Sequence, residues 1–440
     1  MQQRRSRREF LHRGLRTGIA LSALPSEAAP SSGPKPLPKV RVGIVGVGNR
    51  GTNHVKNLIK IPGVEIRAVC DVVKRKVERV QAYLKKAGRR EPAGYFKGPY
   101  DFKRLCARDD LDIVYTATPW SWHTPVCVEA LKQGKHAATE VPAALTIEQC
   151  WELVETAEKS GQYCIQLENC CYDRFELMAL NMLRKGLLGE PLHAECGYLH
   201  DLRALIFTRN SGRNWWIKHP LHRNGDLYPT HGLGPVAQWL NVNRGNRFTR
   251  LVSMATKSRG FELWAKEHLE PDDPRRKLKF ALGDVVTTMI KTHAGETILV
   301  VYDTASPHPY SRKIILQATR GKIRKYPEPL IYLEGKTKGE KWEPFFDGYA
   351  EQWEHPLWRA LGEKAKGGGH GGMDYIMNHR LIQCLLRGEP PDMDVYDAAA
   401  LSAVSELSER SIARANEPVE VPDFTGGAWR KRKPLGIVSV

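Results

Sequence analysis

A glycine-rich turn after a short apolar run constrains this chain more than any other feature. Residues 40–45 have the apolar character of a buried parallel strand, and they lead directly into Gly46-Val47-Gly48-Asn49-Arg50-Gly51. A helical pattern follows, and then a second apolar strand ending at Asp71. Such glycines let main-chain amides approach a pyrophosphate at a helix N-terminus, and an acidic residue about twenty positions later can bind an adenosine ribose. The pattern predicts a dinucleotide site formed by Gly46, Gly48, Asn49, Arg50, Gly51 and Asp71.

The charge of Asp71 bears on which dinucleotide is bound. A carboxylate at this position accepts hydrogen bonds from ribose hydroxyls and repels a 2′-phosphate, which favours NAD over NADP. Arg50, Lys74 and Arg75 lie nearby and leave NADP as an open alternative at this stage.

The order of apolar and amphipathic segments predicts two domains. Up to residue 168, short apolar strands alternate with helical patterns, as in a doubly wound parallel sheet. After residue 169 most segments are strand-like, with predicted strands at 192–199, 250–256, 285–292, 297–303, 313–318 and 321–326. We therefore predict an α/β protein with an N-terminal Rossmann doubly wound parallel sheet and a C-terminal α+β domain with an open, mainly antiparallel sheet.

The N-terminus has the pattern of an export signal. Its core is Ser6-Arg7-Arg8-Glu9-Phe10-Leu11, similar to a twin-arginine signal, and the apolar stretch that follows is too short for a stable membrane anchor. A disordered basic tail is the alternative. The predicted organisation is a signal peptide (1–29), a linker (30–39), a NAD-binding domain (40–168), a substrate-binding domain (169–425) and a basic tail (426–440). The signal predicts export to the periplasm or the exterior, with the twin-arginine translocation machinery as a partner.

Charge and cysteine content narrow the function classes. The formal net charge of +18 suits anionic cofactors or polyanionic glycans, and we find no motif for nucleic-acid recognition. Nine scattered cysteines, an odd number, favour buried free thiols over a disulfide framework. His219 and His222 form an i,i+3 pair without a complete ligand set, so no metal site is predicted.

Taken together, these motifs resemble the Gfo/Idh/MocA oxidoreductase superfamily over nearly all of residues 40–425. Two places depart from its usual pattern. The common E-K-P signature is Glu140-Val141-Pro142, so that Val141 stands where the usual catalytic lysine would be, and residues 224–236 replace the common D-x-x-x-H region.

These departures resemble one branch, glycoside hydrolase family 109, whose members are NAD-dependent α-N-acetylgalactosaminidases. The matching segments are 120–123, 139–144, 167–172, 213–216, 228–235, 307–312 and 369–374. The resemblance implies a tightly bound NAD that is recycled: the sugar is oxidised at C3, the aglycone leaves by elimination across C1 and C2, water adds, and the ketone is reduced again. NAD-dependent hydrolysis is a recognised exception to the two-carboxylate scheme of glycosidases.

The resemblance also implies roles for individual residues. The predicted catalytic residues are His231, Tyr172 and Tyr228, of which His231 is the first choice for moving a proton near neutral pH. The predicted substrate-binding residues are Tyr198, Arg213, Tyr228, His231 and Tyr310. Further cofactor-binding residues are predicted from their position after the carboxyl ends of parallel strands, where open α/β sheets bind ligands: Trp120, His123, Glu140, Val141 and Asn169. Trp215 and Trp216 are predicted to form an apolar wall against the nicotinamide or the sugar. The structural alternatives are a loop-ordering hydrogen bond for His231, ordinary packing for the tyrosines and tryptophans, and a solvated surface position for Arg213.

Two other functions stay open at this stage. An NAD(P)-dependent sugar or inositol dehydrogenase fits the fold, but Val141 and export away from the NAD pool weaken it. A non-catalytic glycan-binding protein that kept NAD as a structural group is the third possibility. The predicted partners are a glycoside substrate and a second copy of the chain, since open sheets of this superfamily often form dimer faces.

Overall fold

The computed structural model describes residues 35–208 and 215–440. The predicted signal peptide, residues 30–34 of the predicted linker and Arg213 lie outside these ranges. Within them, we find no helix with the length and apolar character needed to cross a membrane.

The first sheet has six parallel strands in the order β3-β2-β1-β4-β5-β6. The strands are β1 (Val40–Val45), β2 (Val64–Cys70), β3 (Ala93–Tyr95), β4 (Ile113–Thr116), β5 (His136–Thr139) and β6 (Cys164–Gln166). The helices between them are α1 (Asn49–Leu58), α2 (Lys74–Lys86), α3 (Phe102–Cys106), α4 (His123–Lys132) and α5 (Ile147–Ser160). The predicted doubly wound sheet is confirmed, and β3 is a strand that the sequence pattern did not predict.

The chain order of this sheet gathers the predicted cofactor residues at one edge. Gly46 follows β1, Asp71 follows β2, Glu140 follows β5 and Asn169 lies just beyond β6. All of these strands are parallel, so their carboxyl ends share one edge, where open α/β sheets bind ligands.

The second sheet has nine strands in the order β14-β13-β12-β11-β7-β10-β9-β8-β15. The strands are β7 (Pro191–Leu199), β8 (Phe248–Ala255), β9 (Val285–Thr292), β10 (Thr297–Asp303), β11 (Ile315–Ala318), β12 (Gly321–Arg324), β13 (Leu330–Leu333), β14 (Glu343–Pro344) and β15 (Val419–Glu420). Only β7 and β10 pair in parallel, and all other neighbours are antiparallel. The predicted open, mainly antiparallel sheet is confirmed.

Nine helices complete the described part of this domain. They are α6 (Arg174–Arg184), α7 (Arg203–Phe207), α8 (Lys218–His222), α9 (Thr230–Trp239), α10 (Gly260–His268), α11 (Ala350–Trp353), α12 (Pro356–Ala365), α13 (Met373–Arg387) and α14 (Val395–Ala413). The helix α14 is buried along most of its length and joins the two halves of the molecule. On one side the Ser402 hydroxyl accepts a hydrogen bond from Ala143 N at 3.1 Å, and on the other the Ser411 hydroxyl accepts one from Ser253 N at 2.9 Å.

The largest local difference from the sequence pattern is α9. The segment from Thr230 through Gly232 and Gly234 to Pro235 reads as a turn, because glycine and proline are the poorest helix formers. The structure makes it helical, with His231 in the first turn. A side chain at Gly232 would come within 2.4 Å of Gly197 N, so its glycine is needed for close packing of α9 on β7.

The C-terminal segment 426–440, predicted as a basic tail, packs against the body of the protein. Trp429 is buried and its ring lies 4.7 Å from that of His293. All nine cysteines are buried and free, as their spacing predicted.

Candidate functional site

The glycine turn has the shape that a dinucleotide phosphate requires. A side chain at Gly51 would come within 1.8 Å of Gly46 O, so only glycine lets the turn fold back on itself. A side chain at Gly48 would have only Lys76 Nζ within reach, at 3.9 Å. Gly48 is also the N-cap residue of α1 and has no side chain to accept from the first amides of that helix. The open space and the helix N-terminus together fit a pyrophosphate.

Asp71 is held in place at the end of β2. Its Oδ2 accepts a hydrogen bond from Val47 N at 3.1 Å, and its Oδ1 accepts one from Val73 N at 3.0 Å. A carboxylate oxygen can accept more than one hydrogen bond, so capacity is left for ribose hydroxyls. The residues present therefore fit NAD, with Lys76 Nζ at 3.7 Å from Asp71 Oδ1 as an additional cation near the site.

Arg50 does not extend its guanidinium as a free cation. Its Nε donates to Glu140 Oε1 at 2.5 Å, and its Nη1 donates to Asp374 Oδ2 at 2.6 Å. Burial opposes the charge, but the two carboxylates raise the pKa of Arg50 above its usual value. The side chain therefore links the glycine turn to two acids, and its main-chain amide remains as the group that faces a phosphate.

Further polar side chains complete this network, which we call the anchor cluster: Arg50, His54, Glu140, Asn169, His370 and Asp374. His54 Nε2 lies 2.7 Å from Glu140 Oε1, and Asn169 Nδ2 donates to Asp374 Oδ1 at 2.7 Å. Although burial opposes their ionisation, Arg50 and His54 lower the pKa of Glu140 to about 2, and Arg50 and His370 lower that of Asp374 as well.

A second group of side chains lies in the same region, and we call it the aromatic cluster: Trp120, Tyr198, Trp215, Trp216, Tyr228 and His231. The Tyr228 ring stacks on Trp120, with centroids 5.2 Å apart and planes 16° apart, and lies edge-on to His231 at 4.9 Å. Trp216 lies 4.7 Å from Trp120. Trp120 and Tyr198 are distant in sequence from residues 215–231, so the fold, and not local sequence, brings these three parts of the cluster together.

The two clusters are electrostatically connected through Tyr228. Burial raises the pKa of Tyr228 well above its usual value, and Tyr198, Glu140 and Glu168 add to this effect. Tyr228 is therefore a neutral phenol near neutral pH, suited to donating a hydrogen bond.

His231 is paired with a buried acid that the sequence did not reveal as functional. Its Nδ1 lies 2.7 Å from Glu168 Oε1, and Cys170 N donates to the same oxygen at 3.0 Å. Burial of the ring opposes its charge, while Cys170 and the Glu168 carboxylate raise the pKa of His231 to about 10. The pair therefore holds His231 in its protonated form near neutral pH.

Two residues predicted to bind substrate, Tyr198 and Tyr310, form a chain of ring contacts that leads from His231 toward the surface. The Tyr198 hydroxyl lies 2.8 Å from His200 Nδ1, and the Tyr198 ring lies 5.6 Å from that of His231. Tyr310 is 44% exposed and lies 6.2 Å from Tyr198, ring to ring. Tyr310 thus stands where a ligand entering from solvent would meet it, whereas Tyr198 is buried behind it.

Tyr172, predicted to be catalytic, lies in a different environment. Its hydroxyl donates to Asp392 Oδ2 at 3.2 Å, and its carbonyl accepts a hydrogen bond from Trp358 Nε1 at 2.9 Å. Asp392 is in turn paired with Arg380. The short 3₁₀ helix at Asn169–Tyr172 places this residue beside Asp392 and the helices α12 and α13. The catalytic role of Tyr172 stays a prediction, with packing as its alternative.

Two predicted cofactor residues are largely engaged with protein. Both ring nitrogens of His123 are within hydrogen-bond distance of carbonyl oxygens, Nδ1 at 2.7 Å from Pro142 O and Nε2 at 2.9 Å from Thr118 O. Val141 is buried beside Trp120 in one apolar cluster. His123 thus ties the ends of β4 and β5 together, and Val141 supplies an apolar surface.

Five polar residues of the site were not predicted from the sequence: His54, Glu168, His200, His370 and Asp374. Glu168 and Asp374 fall in segments that were noticed, 167–172 and 369–374, but no local pattern distinguished them. Their partners are distant in sequence, since His231 is 63 positions from Glu168 and Arg50 is 324 from Asp374.

One group of possible metal ligands occurs in the described ranges. Atoms of Glu168, Cys170 and His231 lie within 4.8 Å of one another. The Nδ1–Oε1 separation of 2.7 Å is that of a hydrogen bond, whereas tetrahedral zinc would hold two such ligands about 3.3 Å apart. The geometry fits a histidine–carboxylate pair better than a zinc site.

Comparison with known families identifies both halves of the chain. Residues 172–431 match the family described as glycosyl hydrolase 109, C-terminal domain, and residues 40–167 match the oxidoreductase family with an NAD-binding Rossmann fold. A glycosyl hydrolase family 109 protein of Solibacter usitatus is 47% identical over 437 residues, covering 98% of this chain and 99% of the relative. An alpha-N-acetylgalactosaminidase of Shewanella oneidensis is 44% identical over 436 residues, covering 96% of this chain and 94% of the relative.

Solved structures give the same fold at much lower sequence identity. A levoglucosan dehydrogenase in complex with NADH and levoglucosan has a TM-score of 0.66 at 20% identity, covering 87% of this chain and 100% of its own. An inositol dehydrogenase homolog from Azotobacter vinelandii, in complex with NAD⁺, has a TM-score of 0.65 at 18% identity, covering 88% and 99%. At these identities the likeness establishes the architecture alone.

Proposed function

Because this chain belongs to glycosyl hydrolase family 109 and is an NAD-dependent glycosidase, we propose that it hydrolyses α-linked N-acetylgalactosaminides or closely related glycosides. The observation that carries the proposal is the position of His231 within the aromatic cluster, near the predicted cofactor edge. Its pairing with Glu168 favours the protonated form of the ring. The name of the 44% identical relative supports the sugar.

The carboxylates of the site favour a cofactor-based route over the usual one. Most glycosidases use two carboxyl groups on either side of the scissile bond, one as acid and one as base or nucleophile. Here Glu140 is tied to Arg50 and His54, and Glu168 is tied to His231. Neither acid is placed as a free nucleophile, so the proposed cycle is transient oxidation at C3, elimination across C1 and C2, addition of water and reduction.

NAD⁺, when bound, supplies a hydride acceptor at C3 and returns the hydride at the end of the cycle. We propose that it is tightly bound and recycled. The glycine turn would hold its pyrophosphate and Asp71 its adenosine ribose, with Asn169 and Trp120 near the opposite end.

The residues of the chain would move the protons. His231, as an imidazolium, would donate a proton to the departing glycosidic oxygen, since its charge is stabilised by Glu168. Tyr228, as a neutral phenol, would donate a hydrogen bond to a sugar hydroxyl, and Tyr198, backed by His200, would bind another. Tyr310, at the exposed side, would contact the sugar, as would Arg213, which lies outside the described residues.

The proposal includes export and self-association. Residues 1–29 carry the twin-arginine pattern, and this route transports folded proteins, which suits an enzyme that must acquire its dinucleotide in the cytosol. The open face of the second sheet exposes Leu192, Met254 and Met289, which supports a homo-oligomer formed through this face. We propose no nucleic-acid partner for this protein.

A dehydrogenase is the alternative, and one experiment separates it. The purified protein with its retained cofactor is incubated with α- and β-linked chromogenic glycosides in D₂O. Aglycone release with deuterium at sugar C2 and no build-up of NADH supports the proposed cycle. NADH accumulation with free sugars and no aglycone release supports a dehydrogenase, and sugar binding without any product supports a non-catalytic glycan-binding protein.

A further inference from the structure

One buried carboxylate of the second domain contacts the first domain at the cofactor edge. Asp374 lies in the first turn of α13 and is fully buried. Its Oδ2 accepts a hydrogen bond from Arg50 at 2.6 Å and lies 2.8 Å from His370 Nδ1, while its Oδ1 accepts one from Asn169 at 2.7 Å. Arg50 belongs to the glycine turn and Asn169 to the end of the sheet, so a single side chain fixes two predicted cofactor residues.

The loop before α13 adds a second connection between this part of the second domain and the helix α1, which begins at the glycine turn. Gly368 O accepts a hydrogen bond from Asn57 Nδ2 of α1 at 2.8 Å. Gly369, with a φ of 94°, passes so close that a side chain there would come within 2.5 Å of Asp374 Oδ2 and 2.6 Å of Asn53 Nδ2. Asn53 and Asn57 lie on α1, the helix whose N-terminus forms the phosphate site.

The Arg50 side chain is bound by protein carboxylates, and this fixes the backbone of the glycine turn. Nε and Nη1 of its guanidinium are occupied by Glu140 and Asp374, so its charge is satisfied within the protein. A side chain held from two sides holds its own backbone, and the backbone amides at residues 49–51 are those that a pyrophosphate would meet.

We propose that Asp374 is a positioning residue for NAD, acting through Arg50 and Asn169. It fixes the glycine turn and the end of β6 against the second domain, and release of NAD then requires this buried contact to loosen. The inference rests on the proposed retention of the cofactor and extends it, because it assigns the retention to a contact between domains instead of to the glycine turn alone.

A matched control is available in the same domain. Asp397 is also a buried carboxylate in the first turn of a helix, α14, and it also binds an arginine and an asparagine, Arg244 at 2.7 Å and Asn243 at 3.1 Å. Its partners are outside the anchor cluster. Asp397→Asn therefore reproduces the loss of a buried ion pair without touching the cofactor edge.

The test compares Asp374→Asn with Asp397→Asn and the wild-type protein. The measurements are NAD content after gel filtration, the dissociation constant for NAD after removal of the bound cofactor, the unfolding temperature without NAD, and kcat and KM at saturating NAD. We expect at least tenfold weaker NAD binding for Asp374→Asn alone. We also expect a twofold or smaller change in the KM for glycoside when NAD is saturating.

Two results would overturn the proposal: wild-type NAD affinity in Asp374→Asn, or an equal loss of affinity in both variants, which would indicate a general effect of removing a buried charge. If Asp374→Asn does not fold, the single variants Arg50→Gln and Asp374→Glu and the double variant that combines them provide the same comparison. A double variant that binds NAD no more weakly than the worse single variant supports action through Arg50, and additive losses contradict it. Absence of glycosidase activity in the wild-type protein would refute the proposed function but leave these binding comparisons valid.

Discussion

The anchor cluster and the aromatic cluster are adjacent, yet their electrostatics differ. In the anchor cluster, each acid has a cationic partner: the pKa of Glu140 falls to about 2, that of Asp374 falls as well, and that of Arg50 rises. These three groups keep their charges across the range in which enzymes work. In the aromatic cluster, Glu168 stabilises the protonated form of His231, which remains able to give up its proton. The comparison separates residues that hold the cofactor from residues that move protons.

Removal of His231 should give the largest effect. In His231→Ala, hydrolysis should fall by about 10³-fold or more, because a general acid contributes typically 10²–10⁴-fold. NAD content should remain at the wild-type level, since no residue of the anchor cluster is changed. Both are measured on the same preparation, by aglycone release and by absorbance of the released dinucleotide. An active variant, or one that loses NAD together with activity, would contradict the separation of the two clusters.

Removal of the Tyr228 hydroxyl should have the next largest effect. Tyr228→Phe keeps the ring contacts with Trp120 and His231 and loses only the hydroxyl, which is the proposed hydrogen-bond donor to the sugar. We expect kcat/KM to fall by about 10²-fold, the size expected when a buried hydrogen bond to a substrate or transition state is lost. Steady-state kinetics with a chromogenic glycoside provide the measurement. An unchanged kcat/KM would assign Tyr228 to packing alone.

The charge of Glu168 should determine the pH dependence of activity. In Glu168→Gln the burial that disfavours the imidazolium remains, and so does Cys170, but burial raises the pKa of that thiol and keeps it uncharged. With the Glu168 anion removed, the pKa of His231 should fall toward its usual value of about 6.5. Activity that needs protonated His231 is lost as pH rises through that pKa. The alkaline limb of the kcat/KM profile should therefore move to lower pH by at least about one unit, with about a tenfold loss at pH 8.

The same substitution should reduce stability in a defined pH range. A histidine whose pKa is raised in the folded state contributes stability that is fully present below its unfolded pKa of about 6.5 and is lost as pH rises through the folded value. The unfolding temperatures of wild type and Glu168→Gln should therefore differ most at acidic to neutral pH and converge at alkaline pH. An alkaline limb that stays in place would show that His231 is not the proton donor.

Local sequence predicted the first domain well because its rules are local. The same rules apply in the second domain, where the alternation of β9 and β10 predicts strands. In the first domain the helix α5 follows from helical periodicity and from the Thr146 cap and Gly161 at its ends. The helix α9 was not predicted, because Gly232 is required by contact with Gly197, a residue 35 positions earlier in the chain. Local helix propensity does not show where tertiary packing requires a glycine inside a helix.

The site shows the same limit. Residues at the ends of the parallel strands were predicted, since the topology of the sheet places them together. Glu168 and Asp374 were not, because what makes them functional is a partner distant in sequence. The family resemblance implied a catalytic role for Tyr172, and only the structure shows that its hydroxyl donates a hydrogen bond to Asp392.

Tyr172→Phe tests the predicted catalytic role of Tyr172 and should give the smallest effect. Its hydroxyl bonds to Asp392, whose carboxylate remains paired with Arg380, so the site around His231 should be unaffected. We expect kcat/KM within about threefold of wild type and a decrease in unfolding free energy of about 1 kcal/mol, the net value of a typical hydrogen bond. Kinetics and denaturant unfolding on Tyr172→Phe and Tyr228→Phe, made in parallel, compare the same chemical deletion at two buried tyrosines. If Tyr172→Phe loses as much activity as Tyr228→Phe with little loss of stability, then Tyr172 takes part in the reaction from outside the aromatic cluster. The residues that move protons would then not be confined to that cluster.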